Sequence, residues 1–169
     1  GCDQRLVLAQ IATDEKSNEI TAVPRLLEML SLKGTIVTVD ALNCQRDIAR
    51  RIVEQGGDYV LALKGNQGTL HSDVRLFLDD PETRPTDAHT TVDGDHGRIE
   101  TRACSVSTDI GWLQESHRWP GLAAIGKVIR TRETSAKVTT ETAYYLLSTP
   151  LSAERFGHVR RLRVDGRID

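Results

Sequence analysis

Four groups of residues have the types and spacing to do chemistry. Asp40 closes the run Gly34-Thr35-Ile36-Val37-Thr38-Val39-Asp40. The five residues before it are all β-branched, so a carboxylate follows the carboxyl end of a buried strand, where open α/β sheets keep their reactive groups. Such a carboxylate is costly to desolvate unless something pairs with it, and a divalent metal is one partner. A helix-capping or turn role for Asp40 stays open beside it. Lys64-Gly65-Asn66-Gln67 follows a second apolar run and could present N–H groups, Lys64 and Asn66 to a phosphate. Its spacing is not that of a P-loop, and a plain turn is the competing reading. Arg98, Glu100 and Arg102 alternate along a third run, so they share one face of a strand and suit DNA phosphates or a salt-bridged surface. Lys127, Arg130 and Arg132 form a basic cluster on a fourth.

The elements that must position these groups follow from periodicity. Residues 5–11 read as a strand and residues 20–30 carry apolar residues at helical spacing. After the strand to Asp40, Asn43 suits the N-cap of a helix whose stripe is Ile48, Ala49, Ile52 and Val53, ended by Gly56-Gly57. Residues 59–63 are a short apolar strand and residues 69–78 a helix with Leu70, Val74, Phe77 and Leu78 inward. The order β-α-β-α-β-α implies an α/β sheet with parallel neighbours. Residues 79–95 are polar and hold two prolines, which reads as a mobile loop. Strands are expected over 98–106, 123–131 and 142–148, and a final helix over 152–161 with Ser152 as its N-cap.

Composition excludes some classes. The 169 residues suffice for a sizeable core, and the formal net charge of −2 confines any nucleic-acid surface to local patches. Further arginines gather at 46, 50 and 51 and near the C-terminus, and for each basic cluster, that of Lys127, Arg130 and Arg132 included, a solvated face balanced by Asp and Glu is the plainer reading. No apolar run is long enough to cross a membrane, and no signal peptide is visible. Three widely spaced cysteines, with no C-x-x-C, argue for a reducing cytoplasm. His89, His96, His117 and Cys104 have no metal spacing, and there is no G-x-G-x-x-G.

Four stretches in this order carry a resemblance: DEKSNEI at 14–20, IVTVDALNCQ at 36–45, GGDYVLALKGNQ at 56–67 and HGRIETR at 96–102. They resemble the H-repeat-associated insertion-sequence transposases, a bacterial DDE family, over roughly residues 1 to 150. The resemblance implies an α/β fold with an RNase H-like core, incomplete at the N-terminus, followed by a β-rich insertion. On that reading 1–80 is the partial core, 81–97 a polar loop, 98–150 the insertion and 151–169 the start of a C-terminal helix. It also implies DNA transposition in which acids hold Mg²⁺ (or Mn²⁺), transposon-end DNA as partner, and a homo-oligomer.

Asp40 matches the second acid of the triad and is the expected catalytic and metal residue. The first acid would lie on a strand upstream of this chain. The family's His-Trp-x-Ile-Glu-Asn helix has no counterpart in residues 159–169, which look like the product of a frameshift or truncation. Glu100 is the other acid nominated for catalysis, with a supporting role in the insertion as its alternative. Lys64, Asn66, Arg98, Arg102, Lys127, Arg130 and Arg132 are the expected DNA-binding residues. The chain is thus expected to be a transposase fragment without strand-transfer activity of its own. The alternatives are a non-catalytic module binding DNA or an intact transposase, and a small α/β enzyme taking a phosphorylated metabolite at residues 64–68.

Overall fold

In a computed structural model, the described residues are 5–8, 32–39 and 46–161. Asp40 and Asn43 lie outside them, as does the expected helix over 20–30. The strands β1 (Arg5–Leu8), β2 (Thr35–Val39), β3 (Asp58–Leu63), β4 (Asp87–Asp95), β5 (Arg98–Ser107), β6 (Ala124–Glu133) and β7 (Val138–Leu147) form one sheet of order β1-β2-β3-β7-β6-β5-β4. The helices are α1 (Arg46–Glu54), α2 (Thr69–Asp79), α3 (Gly111–His117) and α4 (Ala153–Arg161).

The first three strands are parallel, as the β-α-β order requires, with Val37 opposite both Val7 and Tyr59. β2 is buried at all five positions, which is why its residues do not alternate. Tight turns lead into β2 and β3. Gly34 adopts φ +74° in the turn where the Thr35 N–H bonds Leu32 O. Gly57 has Leu32 Cβ 2.9 Å from where its own Cβ would stand, so no larger residue fits at the entry to β3.

β7 then joins β3 antiparallel, and β4 to β7 form a meander. Residues 87–95, expected within a loop, are β4. The correction has a physical cause: Asp95-His96-Gly97-Arg98 makes a two-residue turn with φ +49° at His96 and +74° at Gly97. Positive φ at both central positions matches strand twist, so the turn closes a hairpin and pairs polar residues that have no apolar alternation to announce them. β7 also begins at Val138, four residues before its expected start, because β6 continues to Glu133 and supplies its partner. The short helix α3 was not expected from the sequence.

Apolar layers cover both faces of the inner part of the sheet. Ile48, Ile52, Val74 and Leu113 of α1, α2 and α3 pack with Tyr59, Leu61, Ile125 and Leu146 on one face. On the other, Phe156 and Val159 of α4 pack with Val60, Val106, Tyr145 and Leu147. Gly126 makes room for Phe156, whose Cζ lies 2.7 Å from where a Cβ would stand. Ser152 caps α4 as expected, its Oγ accepting the Arg155 N–H at 3.1 Å.

Candidate nucleic-acid interface

Register decides what lies at the business edge of this sheet. Leu63, the last residue of β3, pairs with Tyr144 of β7. Six residues of β7, Val138 to Ala143, therefore run past the carboxyl end of the parallel strands. At ~3.4 Å per residue this is an overhang of about 20 Å. β4, β5 and β6 accompany β7 outward, so a four-stranded arm projects from the edge at which β2 and β3 end.

One face of the arm carries the arginines. Arg102 is paired with Arg130, and Arg130 with Glu141; Glu100 is paired with Arg132. Arg102 Nε donates to Glu100 Oε1 at 2.9 Å, and Arg130 Nη2 donates to Glu141 Oε2 at 2.7 Å. Arg132 is held more loosely, with Nη2 3.6 Å from Glu100 Oε2 and a shielded Nε that meets no acceptor. The hydrogen bond from Arg102, reinforced by the charges of Arg102, Arg130 and Arg132, outweighs burial and lowers the Glu100 pKa below the ordinary range. Arg98 belongs to the same face, one step nearer the tip, opposite Asp95. Across β5, β6 and β7 this face sets four arginines against two glutamates, with Asp93 and Asp95 at the β4 margin.

Lys127 does not join them. Odd and even positions of β6 point to opposite faces, so three basic residues close in sequence are divided. The Lys127 ammonium lies 2.7 Å from Asp79 Oδ1, and the Tyr144 hydroxyl donates to the same carboxylate at 2.7 and 2.8 Å. Burial pushes the Asp79 pKa up, but Lys127, Tyr144 and Arg75 together bring it below the ordinary value. Burial, and then Asp79, push the Tyr144 hydroxyl up. This network ties α2 to β6 and β7. Sequence reading missed it because its members are 17 to 65 residues apart, and only the mid-strand Lys127 hinted at it.

The remaining expected residues fall as follows. Lys64 is exposed and opens the 3₁₀ turn Gly65–Gln67 that leads from β3 into α2. The Asn66 side chain, like Asp40, lies outside what the structure describes. Glu100 is not brought to the end of β2: β3, β7 and β6 intervene, about 19 Å along the sheet at ~4.8 Å per step. His117 pairs with Asp73 at 2.7 Å, and His96 with Asp95 at 3.1 Å. Among the described residues no three His, Cys, Asp or Glu side chains gather where they could hold a metal. Nor, among them, is any helix long and apolar enough to cross a membrane.

The Transposase DDE domain profile matches residues 1–165. The chain belongs to this transposase family. An uncharacterised protein of Xanthobacter autotrophicus, described by its place in the dhlA 3′ region, is 47% identical over 148 residues, which is 87% of this chain and 50% of that protein. The H repeat-associated putative transposase YhhI of Escherichia coli K12 is 40% identical over 160 residues, covering 89% of this chain and 42% of its own. YbfD, named in the same way and from the same strain, is 46% identical over 110 residues, covering 62% and 44%. The chain thus spans half or less of the length of these relatives. Among solved structures, the sugar N-methyltransferase KedS8 from Streptoalloteichus covers 74% of this chain and 44% of its own at 14% identity. Its TM-score of 0.31 is too low to carry an argument.

Proposed function

We propose that this chain is a DNA-engaging part of a DDE transposase that acts in DNA transposition, its arm holding DNA against the edge where β2 and β3 end. One observation carries the reading: the overhang of β7 past Leu63 sets the face of Arg98, Arg102, Arg130 and Arg132 beside that edge. Guanidinium groups suit phosphates because their planar forks match two oxygens at once. Arg132, held by an ion pair of 3.6 Å and with a shielded Nε that meets no acceptor, is well placed to exchange Glu100 for a phosphate. In this reading residues 1–80 belong to an RNase H-like core, and the meander β4 to β7, which begins at Asp87 ahead of the expected 98–150, is an insertion that receives DNA. Glu100 orders the arginines and is not an acid of the triad.

Asp40 is the candidate metal ligand of the whole enzyme. The described residues do not fit Mg²⁺ by themselves. Among them no three acids gather for an octahedral oxygen shell, and Glu100 is engaged with Arg102. The chain by itself is expected to cut no DNA. A non-catalytic module that binds DNA or an intact transposase is the second reading, favoured by an arginine face that needs no metal to hold phosphates.

The test is titration of the purified chain into a labelled transposon-end duplex at several salt concentrations. Arg130→Ala with Arg132→Ala should weaken binding about tenfold and flatten the logarithmic salt slope by about 1.8, roughly 0.9 per lost phosphate contact. Asp40→Asn, without added metal, should leave affinity unchanged or slightly raised. Equal binding by the arginine variant and the parent chain would sink the proposal.

A further inference from the structure

A cleft of about 390 Å³ runs between α4 and the strands β4 and β5. Its origin is local. Gly157 has Cys104 Sγ 2.8 Å from where its own Cβ would stand, so α4 lies low on the sheet at that point. The flank of the helix then becomes a wall. Ser152, Arg155 and His158 recur every third residue, so they line one side of α4. Opposite them stand His89 of β4 and Arg102 of β5, both on the arginine face of the sheet. Glu154 is the one carboxylate of the lining.

Within the lining two guanidiniums, two imidazoles and two hydroxyls stand against one carboxylate, and Glu100 beside them is bonded to Arg102, an arrangement that suits a phosphate ester able to exchange for that carboxylate. The volume falls in the range of small-ligand sites and is far too small for a duplex ~20 Å across. Arg102 belongs at once to this cleft and to the arginine face of the arm. A strand of nucleic acid that follows those arginines therefore passes a residue of the cleft lining at Arg102.

We propose that the cleft holds one phosphate-bearing nucleotide unit of a single DNA strand, separated from its duplex partner as it leaves the arm. The inference rests on the DNA-binding reading above and adds a second, single-strand-selective site to it. Arg155 and His158 supply the helix side of the phosphate contact, and Arg102 and His89 the sheet side.

The experiment uses the full chain and fluorescence anisotropy, with a labelled single-stranded oligonucleotide and the duplex of the same sequence. The variants are Arg155→Ala with His158→Ala, both on the exposed side of α4, and Arg130→Ala with Arg132→Ala as the comparison pair. Circular dichroism melts confirm that each folds, and Arg155→Glu serves as a second probe should the alanine pair not fold. The cleft pair should weaken single-strand binding about tenfold and flatten its salt slope by about 0.7, one phosphate contact on a single strand, with duplex binding changed less than about twofold. Single-strand binding equal to the parent chain, with the Arg130 and Arg132 pair weakened, overturns the cleft and leaves the arm. Loss of neither overturns both. Free dAMP, tested as competitor, should displace the strand only at millimolar concentration; displacement by micromolar dAMP or inorganic phosphate would mean a free-nucleotide or phosphate site and overturn the strand assignment.

Discussion

β2 is buried at each of its five positions, whereas β5 is buried at only three of ten, and those lie in its second half. The contrast holds across the sheet. β3 is buried at five of six positions and has apolar layers on both faces, while the outer part of the meander has one face of arginines and another of threonines and aliphatics. Val92, Ile99 and Val138 of that second face are 65%, 46% and 62% exposed. The inner half of the molecule is held by close packing. The arm is held by ladder hydrogen bonds and cross-strand pairs, each worth a few tenths of a kcal/mol to about 1. Substitutions should therefore cost stability in the inner half and leave the arm folded while changing what it binds.

The largest effect tests the inner half. Phe156→Ala removes a fully buried ring that stacks edge-on against Tyr145 at 5.3 Å and fills the space over Gly126. Denaturant unfolding should show a loss of about 3–5 kcal/mol. A loss under 1 kcal/mol would mean that α4 is not fastened to the sheet as described. Gly126→Val approaches the same contact from the other side. Its methyls would meet the Phe156 ring, and a smaller loss of about 1–3 kcal/mol is expected. The pair Phe156→Leu and Gly126→Ala should recover part of it, since the two sites share one space.

The Asp79 network joins the two halves and should appear in the pH dependence of stability. A carboxylate whose folded pKa lies below its unfolded value stabilises the fold above the unfolded value, about 3.8, and loses that contribution as pH falls through the lower folded one. Thermal melts between pH 5 and pH 2 should show this decline, and Asp79→Asn should make it shallower. An unchanged slope would remove Asp79 from the account. The smallest stability effect belongs to the arm: Arg130→Ala with Arg132→Ala should shift unfolding by under about 1 kcal/mol, since the ion pairs are largely exposed. A large loss there would erase the distinction between the halves.

Several elements were legible in the sequence because one local rule governs each. The β-branched run 35–39, the apolar run 59–63, the stripe of α1 and the cap Ser152 gave strand, strand, helix and helix start. The strand β4 was not legible, because Asp87–Asp95 pairs polar residues on an outer strand and is exposed along most of its length. Its only signal was the His96-Gly97 turn. The candidate site divides in the same way. Arg98, Glu100 and Arg102 share a face by simple alternation, and the sequence showed it. That Lys127 stands on the other side of β6 from Arg130 also follows from period two, but three nearby cations read as one cluster until a strand is in view. The cleft has no sequence signature, since His89, Arg102 and Arg155 meet only when α4 returns across β4 and β5.

The sequence by itself determined the family, the order β2-α1-β3-α2 and which residues of each strand share a face. These depend on side-chain type and on spacings within a few residues. The tertiary structure alone decided that β7 overhangs β3, that Glu100 stands far from β2, that Lys127 is bound to Asp79 and that α4 walls a cleft. Each of these rests on register or packing between segments tens of residues apart, and such contacts are chosen by the fold as a whole.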